Sequence, residues 1–271
     1  AGLHPGPSGG FGGAAVVGEG EEAVLEVTAV VREWKAHGRP GGRPELLGRL
    51  STIDGVYLPS CYDVSYLPDG RIAQVVRNAE RAAQRVAKRT TMDLDEWPYP
   101  KQPLVPIAES VHERMSVEIF RGCTRGCRFC QAGMITRPVR ERSIQGIGEM
   151  VERGLAASGF NEVGLLSLSS ADHSEIREIT KGLADQYEGT GTGLSLPSTR
   201  GDAVNIALAN AISRNRRRSD LTFAHDAAPA RLRRGIKHMG SERALTPTRA
   251  SPRRCGRRPR QAPVTVGLRP R

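Results

Sequence analysis

From Ser116 onward the chain alternates short apolar runs with stretches of helical periodicity, and no other feature restricts its fold as much. The run "SVEIF" reads as a strand, followed by a cysteine-containing loop and a helix from about Ser143 to Ser158. Strand "EVGLLSLS", a helix from about Ser174 to Tyr187, strand "GLSLPS", a helix from about Ala203 to Asn215 and strand "DLTFA" come next. Strand-helix repeats of this length require right-handed crossovers and a parallel sheet, so the expected class is α/β. In such sheets the chemistry gathers at the carboxyl ends of the strands, where loops converge. The cysteine loop leaves the first strand at that end.

Upstream, "AAVVG" reads as a short buried strand, and a helix follows from about Glu21 to His37 with Val24, Val27, Val30, Val31 and Trp34 at helical spacing. One strand and one helix do not make a domain, so residues 1–50 read as the remnant of an upstream α/β domain. Residues 51–115 read as a hairpin and an extended linker. The hairpin flanks a Pro-Asp-Gly turn at 68–70, and the Pro-rich run "EWPYPKQPLVP" suppresses helix. Residues 116–224 form the strand-helix core, and residues 225–271 a basic tail.

Charge locates itself in that tail. Residues 225–271 hold 13 Lys and Arg against Asp226 and Glu242, while residues 1–224 carry 27 basic and 27 acidic side chains. Rich in Pro and Arg and lacking aromatic residues, the tail cannot bury enough surface to offset chain entropy, so disorder is expected. A nucleic-acid arm and a change of reading frame near Ala224 are the other readings. Binding by such an arm would be sequence-blind and steeply salt-dependent, and deleting residues 225–271 would remove it.

Five cysteines in 271 residues are too sparse for a disulfide scaffold. No signal segment opens the sequence and no apolar run nears the roughly 18 residues of a membrane span, so a cytoplasmic, reducing setting is expected, with no membrane partner. Cys123, Cys127 and Cys130 follow the pattern C-x3-C-x2-C in "RGCTRGCRFCQ". Three thiolates at that spacing suit three irons of a four-iron cluster, leaving the fourth iron open. A zinc site and idle thiols are the alternatives. Zinc wants a fourth ligand, and neither His112 nor His173 lies at knuckle spacing. Cys61 reads as a small apolar side chain.

"CTRGCRFC" after a strand, with Phe129 before the last cysteine, resembles the cluster motif of the radical S-adenosylmethionine (radical SAM) superfamily. The longer run "VEIFRGCTRGCRFCQAGMITRPVRERS", with "LLSLSSADHS" and "SLPSTRGDA", resembles more narrowly an uncharacterised bacterial radical SAM family with an amino-terminal cobalamin-binding-like domain. That resemblance implies a partial (β/α) barrel with four recognisable strand-helix units, and a chain truncated at both ends, in which the truncation would slow or abolish activity. It implies a 4Fe-4S cluster on the three cysteines, binding of S-adenosylmethionine and generation of a 5'-deoxyadenosyl radical. The family's cobalamin-ligating region would precede Ala1, so cobalamin is not supported by this chain.

By the same resemblance, Phe129 would pack near the adenine, or else simply close the loop. Ser169, Ser170 and Asp172 stand where the superfamily contacts the cofactor's ammonium, although Gly-Gly-Glu is its usual pattern; a helix N-cap is the other role open to Asp172. Ser198 and Arg200 would bond the ribose and the carboxylate, or be solvated loop residues. Partners implied are an unidentified substrate and an electron donor such as a flavodoxin or ferredoxin. Arg121, Arg125, Arg128, Arg137, Arg140 and Arg142 crowd the loop as a solvated face, as electrostatic support for a reduced cluster, or as a surface for an anion such as RNA. The rival function is a metal-binding or RNA-binding module without turnover.

Overall fold

The computed structural model describes residues 13–108, 110 and 112–197. The helix expected from about Ala203 to Asn215, the strand expected at 220–224, Ser198, Arg200, Cys255 and the basic tail lie outside the described residues. Two compact units divide the chain, Ala1–Met92 and Asp93–Arg271.

In the first unit, strand β1 (Ala15–Val16) pairs antiparallel with β2 (Val56–Tyr57). Helix α1 spans Glu21–Ala36, with Glu21 and Glu22 in its first turn and Lys35 in its last, each complementing the helix dipole. Its inner side is Ala23, Val27, Val30, Val31 and Trp34. Val24, expected inward, is 58% exposed. The small Ala23, four residues before Val27, takes the fully buried place, while the other four expected positions face inward.

Helix α2 (Gly42–Leu50) was not evident from the sequence, since two glycines and Pro44 stand at its start. Leu46, Leu47 and Leu50 bring it onto a small core with Ile53, Val56, Leu58 and Cys61. The hairpin is present as β3 (Tyr62–Tyr66) and β4 (Ile72–Arg77), paired antiparallel, with Gly70 at φ +82° in the turn. Cys61 closes a 3-10 turn, Pro59–Cys61, just before β3 and is 1% exposed.

The second unit begins with an extended segment. Strand β5 (Met115–Glu118) follows, then β6 (Phe120–Arg121), α3 (Ala132–Ile135), β7 (Arg140–Glu141), α4 (Ile144–Ser158), β8 (Glu162–Leu166), α5 (Ile176–Gln186) and β9 (Gly193–Ser195). The central sheet has the order β5-β8-β9 with both pairings parallel, as the strand-helix alternation predicts. Helix α4 is bounded by local chemistry: the Ser143 hydroxyl accepts the Gly146 N–H at 3.0 Å, and Gly159 at φ +70° ends the helix. Val117, Ile119, Ile147, Val151, Val163, Leu165, Ile179 and Leu194 form one buried core between sheet and helices. Among the described residues no helix is long and apolar enough to cross a membrane.

The expected strand "SVEIF" divides in two at Ile119. Met115–Glu118 pairs with β8, whereas Phe120 and Arg121 turn aside to pair antiparallel with Glu141 and Arg140 of β7. Residues 122–139, with all three motif cysteines, are therefore an excursion closed at its base by a two-stranded ladder.

Candidate metal centre

The base of the excursion is tight. Gly122 sits at φ +94°, and a Cβ there would meet the Pro138 carbonyl oxygen at 2.6 Å and the Val139 Cα at 2.9 Å. Both neighbours are backbone, so only glycine lets the two limbs approach this closely. The buried Arg140 guanidinium knits the returning limb, donating to the Thr136 carbonyl at 2.9 Å and the Pro138 carbonyl at 3.0 Å.

Cys123, Cys127 and Cys130 are each half-buried and none is in a disulfide. Cys130 N–H donates to the Cys127 carbonyl at 3.1 Å, tightening the second spacing. Gly133, in α3, donates its N–H to Cys130 Sγ at 3.3 Å. A Cβ on Gly133 would lie 3.5 Å from Cys130 Sγ and 3.8 Å from Cys123 Cβ, so these two cysteines border one space that glycine leaves clear. Among the described residues no three His, Cys, Asp or Glu side chains converge tightly enough to hold a single metal ion. A single ion gathers its donors around one point, whereas in a cluster each thiolate takes its own iron. The donor set and the clear floor at Gly133 fit the cluster.

The turn after β8 lies at the same end of the sheet. Ser170 is fully buried, its hydroxyl donating to the Leu165 carbonyl at 2.8 Å and lying 2.9 Å from the Ser167 hydroxyl. Ser169 donates to Asp172 Oδ2 at 2.7 Å. Arg125, between the first two cysteines, donates from Nε to the same Oδ2 at 2.7 Å and from Nη2 to Oδ1. The structure thus joins Asp172 and Ser169 to the cysteine loop, while Ser170 is engaged in holding the turn. Phe129 is 52% exposed.

Several loop arginines act as struts. Arg121 forks onto Glu118 at 2.8 and 3.1 Å, and Arg137 reaches the Cys123 carbonyl at 3.4 Å. Arg142, buried, donates to the Leu94 carbonyl and lies 3.5 Å from Asp95 and 3.7 Å from Glu118. His173 is also buried. Its Nδ1 accepts from Glu175 N–H, so the proton sits on Nε2, which donates to the Arg142 carbonyl at 3.3 Å.

Asp95 caps this end from far away in sequence, accepting the Ser143 N–H at 2.9 Å. Burial opposes its charge, but hydrogen bonds from Ser143 and the nearby Arg142 outweigh it and hold the carboxyl below the usual range. A carboxylate with a lowered folded-state pKa stabilises the fold above its unfolded value of about 4 and loses that contribution as pH falls through the folded value. Asp95→Asn is therefore expected to lower the urea midpoint at neutral pH, the two proteins converging only as pH falls below the usual carboxylate range. Equal midpoints at neutral pH would deny Asp95 this role.

Residues 117–241 match the family model described as the Radical SAM superfamily. That stretch, a little under half of the chain, is similar to a radical SAM domain. An uncharacterised protein of Methanocaldococcus jannaschii is 35% identical over 129 residues, covering 48% of this chain and 27% of that protein. Among solved structures, the radical SAM methyltransferase TsrM from Kitasatospora setae, with tryptophan substrate and the SAM analogue aza-SAM bound, superposes with a TM-score of 0.58 at 14% identity. That match covers 91% of this chain and 44% of TsrM. The same enzyme with cobalamin and a 4Fe-4S cluster bound gives 0.56 at 13% identity, covering 91% and 46%. At these identities the likeness is one of fold. The chain spans about a quarter of the curated relative and under half of TsrM.

The struts were the part that sequence reasoning missed. Gly122 and Gly133 left a signal, each standing beside or near a motif cysteine, but nothing near Arg125 indicates a partner 47 residues away.

Proposed function

We propose that the chain holds a 4Fe-4S cluster on Cys123, Cys127 and Cys130, binds S-adenosylmethionine beside it, and works as a radical enzyme on a substrate admitted at the carboxyl end of the sheet. The observation that carries the reading is the set of three thiols, outside any disulfide, on an excursion from the end of the first core strand of a stretch similar to a radical SAM domain. When bound, the cluster would supply one electron for cleavage of the sulfonium carbon–sulfur bond of S-adenosylmethionine, giving methionine and a hydrogen-abstracting 5'-deoxyadenosyl radical, with a flavodoxin-like or ferredoxin-like protein as electron source.

The chain's own residues hold and orient. Gly133 keeps the floor between Cys123 and Cys130 clear, and its N–H donates to the Cys130 sulfur, an interaction that favours a thiolate. Asp172, oriented by Ser169, presents a carboxylate suited to the cofactor's ammonium. Phe129 offers an exposed aromatic face for the adenine. Ser198 and Arg200 are assigned the ribose and carboxylate by the family resemblance.

Turnover separates this reading from a metal- or RNA-binding module. With dithionite and S-adenosylmethionine under anaerobic conditions, the iron-loaded protein is expected to release 5'-deoxyadenosine, and the Cys127→Ser protein none. An iron-loaded protein that releases no 5'-deoxyadenosine, alone or with a flavodoxin, would favour the module.

A further inference from the structure

The cysteine loop is anchored at its base by the β6–β7 ladder and within itself by Arg137 and Arg140, but none of these contacts reaches the loop's first half from the central sheet. Arg125 does. It stands between Cys123 and Cys127 and forks onto Asp172, in the turn that follows the middle strand of the sheet. The pair is sheltered, with 30% of the Arg125 side chain and 15% of the Asp172 side chain exposed.

Its far end is built firmly. Asp172 N–H donates to the Ser169 carbonyl at 2.8 Å, closing the 3-10 turn, and the Ser169 hydroxyl bonds the same carboxylate oxygen that Arg125 Nε does. Ser169 is 2% exposed and Ser170 fully buried, so the carboxylate projects from a fixed platform. A two-point guanidinium-carboxylate contact fixes direction as well as distance, which a lysine cannot do.

We propose that Arg125 is a positioning residue, docking the first half of the cysteine loop against the turn after β8 so that the thiols are ordered before the cluster is assembled. The proposal rests on the cluster-binding reading above. A loop fixed in advance spends less conformational entropy when its ligands are engaged. The pair also ties the cluster loop to Asp172, the group assigned to the cofactor's ammonium.

A double-mutant cycle tests it on the full chain, using Arg125→Ala, Asp172→Ala and the two combined, with two readouts. The first is hydrogen exchange, without metal, at the Cys130 amide, which is bonded to the Cys127 carbonyl in the docked half of the loop. Exchange there is expected to speed up about tenfold in either single variant and no further in the double, while α4 amides keep wild-type rates. The second is iron bound per chain at limiting iron, which should fall several-fold in both singles and no further in the double, with Arg125→Lys in between. Wild-type exchange and iron loading in Arg125→Ala, or additive effects in the double variant, would overturn the proposal. If the wild type takes up no iron, the cluster reading fails, and the exchange cycle still decides whether the pair docks the loop.

Discussion

Replacing Cys123, Cys127 or Cys130 with serine is expected to abolish iron incorporation, taking the protein from about four irons and four sulfides per chain to a level set by adventitious binding. The reason is the small number of ligands. With three thiolates for a four-iron cluster, each removal leaves two protein bonds, and a serine hydroxyl does not ionise near neutral pH to replace the third. Cys61→Ser serves as the contrast. Cys61 is 1% exposed in the core of the first unit, beside Leu58 and Ala82. Serine there puts a hydroxyl among apolar neighbours and costs about 1–3 kcal/mol of stability, without touching iron. Cys255→Ser is expected to leave iron unchanged as well. Iron and sulfide assays on the five variants check the pattern, and iron retained in any of the three loop variants would break it.

Gly122→Ala is expected to be nearly as damaging, through backbone alone. At φ +94° an L side chain is strained, and its Cβ would press on the Pro138 carbonyl oxygen and the Val139 Cα, neither of which can rotate away. Conformation alone costs roughly 1–2 kcal/mol, and parting the two limbs adds the loss of the β6–β7 pairing. The excursion would then lose its closed base, and iron loading should fall sharply although no ligand has changed. Gly148→Ala is the control, because a Cβ there meets nothing within 4 Å and alanine favours the helix. Iron content and urea midpoints of both variants give the comparison, and full loading in Gly122→Ala would show that the closed base is dispensable.

The parallel sheet was legible because its signals are local. Each strand carries buried apolar residues in a short span, Met115 and Val117 in β5, Val163 and Leu165 in β8 and Leu194 in β9, and α4 is framed by Ser143 at one end and Gly159 at the other. What escaped notice depends on contacts remote in sequence. Nothing in "SVEIF" tells Val117, paired in parallel with Leu165, from Phe120, paired antiparallel with Glu141. Both are apolar and both are buried; the partner strand decides. The same holds for Asp95 at the Ser143 amide, 48 residues away, and for Arg125 at Asp172.

The motif cysteines were legible as a set, since their spacing is local. The arginines around them were not, because a run of like charge reads as a solvated face until its partners are known. Arg121, Arg125, Arg140 and Arg142 all prove to be tied to carboxylates or carbonyls of the domain itself. For Ser170 the position was legible and the hydroxyl's partner was not. A serine at a strand end looks available to a ligand, yet burial commits its hydroxyl to the Leu165 carbonyl.

The most direct test is anaerobic reconstitution of the wild-type chain with ferrous iron and sulfide, followed by metal analysis and paramagnetic resonance of the dithionite-reduced protein with and without S-adenosylmethionine. The account predicts about four irons per chain and a reduced-cluster signal that changes when S-adenosylmethionine is added, as an open iron requires. Stoichiometric zinc with no iron, or a cluster signal indifferent to S-adenosylmethionine, would contradict it.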